Sequence, residues 1–354
     1  MIKVLIVDDS AYMRYVLKNH LDGDPEIEVV DTARDGLDAL SKIATLKPDV
    51  VTLDLEMPRM DGFAALKRIM SESPMPVIIL SSLTQEGADA TIRALRLGAV
   101  DFVPKPVKGV LDLEAVRDEL RAKIKHVAGL HISKLGVPEK RSATGLTKRG
   151  AAIGGGGARE IVVIGTSTGG PRALHEVVPH LPKSLPSGVL IVQHMPAGFT
   201  KSLAARLDEL SELTVKEAEP GDIVQAGLVL IAPGNYHMTV SKGGIIELDQ
   251  RPPQHGVRPS VDVTMESVAE VYGSAAIGVI LTGMGCDGTR GAGLIKSAGG
   301  QIVAEHESSC VIYGMPRCTI EAGLADRIAP LDKIASEIIS LSIGKGPIRR
   351  AANY

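Results

Sequence analysis

Residues 161–169 read Ile-Val-Val-Ile-Gly-Thr-Ser-Thr-Gly, and a stretch with helical periodicity follows at residues 171–178. A short apolar run, a glycine-bounded turn and a helix form the strand–turn–helix unit of an α/β domain. Within the turn, Ser167 stands in a Gly-x-Ser-x-Gly pattern, the elbow that presents a serine hydroxyl for attack. This stretch therefore predicts an α/β fold and a serine hydrolase site together.

The C-terminal half repeats the same alternation of apolar runs and helical segments, which indicates a Rossmann-like, doubly wound parallel sheet over residues 159–347. A polar turn at residues 241–244 between two alternating segments predicts a β-hairpin. The predicted strands are 161–164, 189–193, 228–232, 277–281 and 301–304, the predicted helices include 171–178, 201–207, 260–271 and 288–298, and the hairpin spans 238–248.

The N-terminal half, residues 1–125, contains five β/α repeats and predicts a second parallel sheet, of the flavodoxin-like kind. Residues 126–158 lack periodicity and are small, polar and rich in glycine, so we expect a flexible linker between the two domains. The fold class is therefore α/β, with two doubly wound domains in one chain.

Composition and charge disfavour several classes of protein. The chain has 354 residues, 44% of them hydrophobic, and a net charge of -3, which disfavours a nucleic acid partner. No apolar run has the length of a membrane span, and no signal sequence precedes the first strand, so we expect a cytoplasmic protein without membrane insertion. The three cysteines form no close pair in sequence, which favours free thiols over disulfides or zinc ligands.

Polar residues follow several strands of the N-terminal sheet, where the carboxyl ends of parallel strands share one edge. Three carboxylates at that edge, from Asp8, Asp9 and Asp54, repel one another and indicate a cation, for which oxygen ligands favour Mg²⁺. With Lys105 beside it, Asp54 is equipped to attack a phosphoryl group. Ser81 ends the fourth predicted strand and is a candidate hydrogen-bond donor to the added phosphoryl oxygens.

These N-terminal residues resemble the response-regulator receiver domain. The resemblance implies phosphorylation of Asp54 by a histidine kinase, Mg²⁺ held by Asp8, Asp9 and Asp54, and a role for Phe102 as a switch aromatic, with a core phenylalanine as the alternative. The matching motifs are Val7-Asp8-Asp9-Ser10, Leu53-Asp54-Leu55-Glu56-Met57-Pro58, Met60-Asp61-Gly62 and Val103-Pro104-Lys105-Pro106.

A serine nucleophile needs a base and an orienting carboxylate. His194 directly follows a predicted strand and shares the sheet edge with Ser167, whereas His237 and His255 lie in loops and remain less favoured alternatives. Asp287 lies in a glycine-rich loop whose backbone amides suit an oxyanion hole. It is a candidate to orient His194, with a helix N-cap as the alternative role. Cys286 carries no sign of an activated thiolate.

The C-terminal residues resemble the chemotaxis protein-glutamate methylesterases. The matching motifs are Ile164-Gly165-Thr166-Ser167-Thr168-Gly169-Gly170-Pro171, Val192-Gln193-His194-Met195, Ala232-Pro233-Gly234, Arg258-Pro259-Ser260-Val261-Asp262 and the loop from Thr282 to Gly288.

This resemblance implies hydrolysis of glutamate methyl esters on chemoreceptors, with release of methanol and without a cofactor. Deamidation of receptor glutamines is a further expectation. Ser167 would be the nucleophile, His194 the base and Asp287 the orienting carboxylate, while backbone amides near Thr168 and Met284 are candidates for the oxyanion hole. The receiver would block the catalytic edge until Asp54 is phosphorylated.

Three other classes of protein fit less well. A nicotinamide-dependent oxidoreductase needs Gly-x-Gly-x-x-Gly, and Ser167 occupies the position of the second glycine. A non-catalytic adaptor would not need Ser167, His194 and Asp287 together. A DNA-binding output domain would need a basic recognition helix, which the sequence does not show.

Overall fold

The computed structural model describes residues 1–105, 113–130 and 158–344. The chain divides into two compact units, residues 1–140 and 141–354. Most of the predicted linker, together with Pro106 and the C-terminal ten residues, lies outside the described residues.

The N-terminal unit is built around a parallel five-stranded sheet in the order β2-β1-β3-β4-β5, which confirms the predicted α/β fold. A polar side chain begins several of its helices: Ser10, Asp35, Asp61 and Thr84 each accept a hydrogen bond from a first-turn amide. The strands are β1 (Ile2–Val7), β2 (Ile27–Ala33), β3 (Val50–Asp54), β4 (Val77–Ser81) and β5 (Asp101–Pro104), and the helices are α1 (Ala11–Leu21), α2 (Gly36–Leu46), α3 (Gly62–Glu72), α4 (Gln85–Arg96) and α5 (Leu113–Val127).

Strand register brings the acidic residues of this unit together. Val7 pairs with Leu53, so Asp8 and Asp54 each follow a paired position on neighbouring strands. Ser81 of β4 pairs with Pro104 of β5. Lys105 directly follows Pro104 and so lies at the same edge of the sheet. Apolar side chains of β1, β3 and β4 are buried, so this polar edge rests on a rigid core.

The C-terminal unit is also doubly wound. Its sheet has seven parallel strands in the order β14-β13-β12-β6-β7-β9-β8, and the antiparallel pair β10–β11 confirms the predicted hairpin. The strands are β6 (Ile161–Thr166), β7 (Gly188–Gln193), β8 (Thr214–Glu217), β9 (Leu228–Ile231), β10 (His237–Ser241), β11 (Ile245–Asp249), β12 (Ala276–Ile280), β13 (Gln301–Glu305) and β14 (Arg327–Ala329), and the helices are α6 (Gly170–Val177), α7 (Phe199–Leu210), α8 (Val261–Tyr272), α9 (Thr289–Ser297), α10 (Met315–Glu321) and α11 (Leu331–Gly344).

The strand order reverses at β6. From β6 the chain first forms one side of the sheet, where β7 lies next to β6, β8 forms the edge and β9 lies between them, and it later returns to the other side of β6 with β12, β13 and β14. Ligands of open α/β sheets bind at the carboxyl ends of strands beside such a switch point. The segments that follow β6, β7 and β12 are therefore the first place to look for a functional site.

Within the described residues, no helix combines the length and the apolar character needed to cross a membrane.

Candidate active site

Ser167 lies at the turn between β6 and α6. Its amide donates to the carbonyl of Thr282 at 3.0 Å, and its carbonyl accepts a hydrogen bond from the amide of Gly170 at 2.8 Å. The turn requires glycine at position 169, where φ is 79° and a Cβ would lie 2.5 Å from Cβ of Val311. Ser167 is half-buried, so the elbow leaves its side chain accessible.

His194 follows β7 and lies beside this elbow. Thr166 and Gln193 are paired residues of β6 and β7, so Ser167 and His194 are the next residues on adjacent strands. The amide of His194 donates to the carbonyl of Thr166 at 3.2 Å. Among the described residues, none hydrogen-bonds the Ser167 hydroxyl in this arrangement.

Asp287 lies within hydrogen-bond distance of His194. The distance from Nε2 of His194 to Oδ2 of Asp287 is 2.8 Å, and because a carboxylate only accepts, Nε2 carries the hydrogen. The other ring nitrogen, Nδ1, is therefore the basic one. The structure thus brings His194 and Asp287 into contact and places Ser167 on the neighbouring strand end.

Both oxygens of the Asp287 carboxylate accept several hydrogen bonds. Besides His194, it accepts hydrogen bonds from the hydroxyl of Ser260 and from the amides of Val261, Asp262 and Gly288, at 2.7 to 3.0 Å. Burial raises the pKa of Asp287, but the hydrogen bond and charge of His194, followed by the two amides of α8, outweigh burial and lower it. Asp287 is thus held as an anion.

The alternative role of Asp287, as an N-cap for the following helix, does not match the structure. Helix α9 begins after Gly288 without a side-chain cap. The carboxylate instead meets the amides of α8, whose own Ser260 provides no side-chain cap. Asp287 therefore joins the histidine to the positive end of a helix that is distant in sequence.

The loop between β12 and α9 faces Ser167. A Cβ on Gly283 would lie 2.8 Å from Cβ of Ser167, so glycine permits this close approach. The carbonyl of Gly283 accepts hydrogen bonds from the amides of Gly314 and Met315, at 3.2 and 2.9 Å. The amide of Met284 has no hydrogen-bond partner among the described residues, as an oxyanion-hole donor would require.

Thr282 links this loop to the elbow. Its carbonyl accepts hydrogen bonds from the Ser167 amide and from the Thr166 hydroxyl, at 3.0 and 2.8 Å. Its hydroxyl donates to the carbonyl of Thr168 at 3.0 Å, and Thr168 is buried. The two predicted oxyanion-hole positions, Thr168 and Met284, thus belong to segments that Thr282 joins.

Sequence analysis missed several residues that support this site. Glu305, buried at the end of β13, accepts a hydrogen bond from the Thr282 amide at 2.8 Å, and burial raises its pKa. Ser260 donates to Asp287, and Gln193 contacts the backbone beside both Ser167 and His194. Polarity at the end of an apolar strand was a usable signal for Gln193 and Glu305.

The expectation of free thiols is wrong for two of the three cysteines. Cys286, directly before Asp287, forms a disulfide with Cys318 of α10, and the Cα atoms are 5.5 Å apart. Their separation of 32 residues hid the pair, because only the fold brings α10 against the loop. Cys310 is free and buried, and burial raises the pKa of its thiol.

The other candidate histidines bond to other partners, although a ring nitrogen of His255 lies within 4.8 Å of a carboxylate oxygen of Asp287. His175 and His180 contact backbone carbonyls of their own helical region, at Pro171 and Glu176. His237 begins β10 and so does not lie in a loop as expected; it is buried against the carbonyl of Pro252, and burial lowers its pKa. His255 pairs with Asp262 at 3.1 Å.

The acidic edge of the N-terminal unit has a different character. Nζ of Lys105 lies 2.6 Å from Oδ2 of Asp54 and 3.2 Å from Oδ2 of Asp8. Burial raises the pKa of Asp8, and the charge of Asp54 adds to this although Lys105 opposes both. The two carboxylates raise the pKa of Lys105 against its burial.

This edge fits a hard cation. Carboxylate oxygens of Asp8, Asp9 and Asp54 lie within 4.8 Å of one another, and Asp9 is exposed. All three candidate ligands are carboxylate oxygens, and the exposure of Asp9 leaves room for water ligands. Mg²⁺ prefers oxygen ligands and usually keeps several waters. The predicted donor set is therefore compatible with Mg²⁺.

Ser81 and Phe102, the predicted switch residues, are both buried. The Ser81 hydroxyl accepts a hydrogen bond from Thr91 of α4 at 2.6 Å, and carbonyls of Ser82 and Gly87 lie within donating distance of it at 3.1 and 3.3 Å. Phe102 lies in the core with Nζ of Lys123 5.3 Å from its ring centre. A switching role for either side chain stays a prediction.

Comparison with known proteins identifies the class. A family model described as CheB methylesterase matches residues 162–338, and one described as response regulator receiver domain matches residues 4–117. Fold and sites thus define a protein that joins a receiver domain to a methylesterase domain. The chain belongs to the CheB methylesterase family, and it is an enzyme.

Individual relatives agree. A protein-glutamate methylesterase/protein-glutamine glutaminase of Symbiobacterium thermophilum is 53% identical over 98% of both chains. One with the same name from Thermotoga maritima is 49% identical over 96% of this chain and 98% of its own. The crystal structure of the Thermotoga maritima CheB methylesterase catalytic domain, 52% identical, covers 51% of this chain and 98% of its own with a TM-score of 0.50.

Proposed function

We propose that this protein hydrolyses glutamate methyl esters on chemoreceptors during chemotactic adaptation, in the cytoplasm. The observation that carries the proposal is the contact of His194 with a fully hydrogen-bonded Asp287, 2.8 Å away, on the strand end next to Ser167. The names of close relatives supply the substrate, since they are protein-glutamate methylesterases.

The first half of the reaction forms an acyl-enzyme. Nδ1 of His194 removes the proton of the Ser167 hydroxyl while the oxygen attacks the ester carbonyl carbon. Asp287 holds Nε2–H and stabilises the imidazolium that results. The amides of Met284 and Thr168 are the donors proposed for the oxyanion, and His194 then returns its proton to the leaving methoxide, which departs as methanol.

The second half restores the enzyme. Water, deprotonated by Nδ1 of His194, attacks the carbonyl carbon of the Ser167 ester. The bond from that carbon to the serine oxygen then breaks, His194 returns the proton to the serine oxygen, and a glutamate side chain is released. The same steps act on glutamine, with ammonia in the place of methanol. We therefore also propose glutaminase activity, which the relatives' names include.

We further propose that the receiver regulates this site. A histidine kinase or a small phosphodonor would transfer its phosphoryl group to Asp54, with Mg²⁺ held by Asp8, Asp9 and Asp54. The ion would offset the charge gathering on the phosphoryl oxygens, and Lys105, whose Nζ lies 2.6 Å from Oδ2 of Asp54, would do the same. Ester hydrolysis itself is proposed to need no cofactor.

The test is methanol release from methylated receptor membranes, with and without Mg²⁺ and a phosphodonor. Ser167→Ala should lose on the order of 10⁶-fold in the chemical step. Ser297→Ala is the matched control, because Ser297 is an exposed serine on α9 whose hydroxyl hydrogen-bonds the carbonyl of Gly293 in its own helix. Release by Ser167→Ala at the parent rate would overturn the assignment, and no release by the parent would favour a non-catalytic adaptor.

A further inference from the structure

Gln193, the last residue of β7, contacts the backbone of both Ser167 and His194. It is 2% exposed. Its carboxamide nitrogen donates to the carbonyl of Ser167 at 3.0 Å and to the carbonyl of His194 at 3.2 Å. One side chain therefore joins the peptide of the proposed nucleophile to that of the proposed base.

The orientation of this amide follows from its partners. The carbonyl oxygens of Ser167 and His194 only accept hydrogen bonds, so the NH₂ end of Gln193 must face them. The amide oxygen is buried without a hydrogen-bond partner among the described residues. A buried oxygen without a partner is unfavourable, so the glutamine at this position costs stability on its oxygen side. The two hydrogen bonds that its NH₂ group donates are the contribution that offsets this cost.

The neighbouring turn makes room for this side chain. Gly170 begins α6, and a Cβ there would overlap with the amide oxygen of Gln193 and lie 2.6 Å from the hydroxyl of Thr166. Glycine at position 170 is therefore needed for the carboxamide to reach under the elbow. The Ser167 carbonyl, which also accepts from the Gly170 amide, is held by two donors.

We propose that Gln193 is a positioning residue, which sets the separation of Ser167 and His194 through their carbonyl groups. This inference rests on the proposed function. Its side chain does not reach the surface, so it acts on the alignment of the two reacting groups and not on substrate binding. Misplacement of such groups by about 1 Å lowers a rate on the order of 10²-fold.

The variant that tests this is Gln193→Met, which keeps the length of the side chain and removes the donor. Gln225→Met is the matched control, because Gln225 is a half-buried glutamine before β9 whose amide oxygen is also unpaired. Both variants are made in the full-length protein. Each is assayed for methanol release and for labelling by a fluorophosphonate, whose phosphorus bonds the Ser167 oxygen as fluoride leaves and His194 takes the proton.

We expect Gln193→Met to lose on the order of 10²-fold in kcat and in labelling rate, with KM for methylated receptor unchanged. The final amount of label per chain should equal that of the parent, which shows that every site is folded. Gln225→Met should match the parent in all four quantities.

Two results would overturn the inference. One is a labelling rate for Gln193→Met equal to that of the parent. The other is a lower final amount of label with a normal kcat per labelled site, which would indicate a purely structural role. The proposed function is judged separately, since parent labelling and its loss in Ser167→Ala do not involve Gln193.

Discussion

Asp54 and Asp287 are equally buried, at 3% and 2% exposure, yet their surroundings differ. Asp287 accepts five hydrogen bonds, from His194, Ser260, Val261, Asp262 and Gly288. Asp54 has the Glu56 amide at 3.2 Å and the Lys105 ammonium at 2.6 Å. A second carboxylate, Asp8, shares that lysine.

The difference indicates two uses of a buried aspartate. A carboxylate whose lone pairs are all occupied stays ionised and fixed, which suits the proposed orienting role of Asp287. Two carboxylates that share one ammonium group keep an excess negative charge. This excess charge favours a further cation and so suits the proposed binding of Mg²⁺ at Asp54, where the phosphoryl group would be added.

The largest effect is expected at Asp287. Asp287→Asn should lower kcat for methanol release by about 10⁴-fold, because an amide no longer selects the histidine tautomer that leaves Nδ1 basic. Asp332→Asn is the control, since Asp332 is an exposed aspartate of α11. A fall of less than about tenfold would mean that His194 does not need its partner.

The second effect concerns the disulfide that joins the loop between β12 and α9 to α10. The disulfide between Cys286 and Cys318 spans 32 residues, and a bridge of that length stabilises by about 3 to 4 kcal/mol in the chain-entropy estimate. Under oxidising conditions, Cys318→Ala should lower the free energy of unfolding of the catalytic domain by this amount, measured by denaturant unfolding. Reductant should bring the parent down to the variant and leave the variant unchanged. A parent that is insensitive to reductant would contradict a stabilising bridge.

How much of this was visible in the sequence depends on the kind of signal. Asp8, Asp54 and His194 were found because each directly follows a predicted strand or ends one, and parallel strands end at one edge, whereas Ser167 was found through its Gly-x-Ser-x-Gly pattern. The two parallel sheets, the hairpin β10–β11 and the position of each site at a sheet edge followed from the periodicity of the sequence.

The remainder depends on tertiary contacts. The edge strand β8, Thr214–Glu217, is short, half-exposed and polar, so it lacks an apolar run. The contact of Asp287 with α8 and the pairing of Cys286 with Cys318 join segments that are distant in sequence. Local patterns place a residue on an element, but they do not choose its partner.

The third effect is on regulation. Asp54→Asn should abolish stimulation by phosphodonor and Mg²⁺, which for a typical coupling free energy amounts to about 5- to 150-fold. The unstimulated rate should stay within about twofold of the parent, because Asp54 belongs to the receiver domain and not to the methylesterase domain. Asp118→Asn, an exposed aspartate of α5, should keep full stimulation. Stimulation that persists in Asp54→Asn, measured with phosphoryl incorporation by mass, would place the acceptor elsewhere.

The smallest effect is a change of stability at the acidic edge, and its sign distinguishes the two kinds of aspartate. Because burial raises the pKa of Asp8, the folded receiver binds this proton more tightly than the unfolded chain does. Ionised Asp8 therefore costs stability at neutral pH, and the cost disappears as pH falls toward the ordinary carboxyl pKa of about 3.9. Asp8→Asn should raise the receiver's free energy of unfolding at neutral pH by more than the roughly 0.5 kcal/mol of a surface substitution, and less at acidic pH. Mg²⁺ should stabilise the parent more than the variant, with Asp118→Asn behaving as the parent.

Because the pKa of Asp287 is lowered, Asp287→Asn should have the opposite sign and destabilise the protein at neutral pH. Equal signs for the two variants would show that the two carboxylates are held alike.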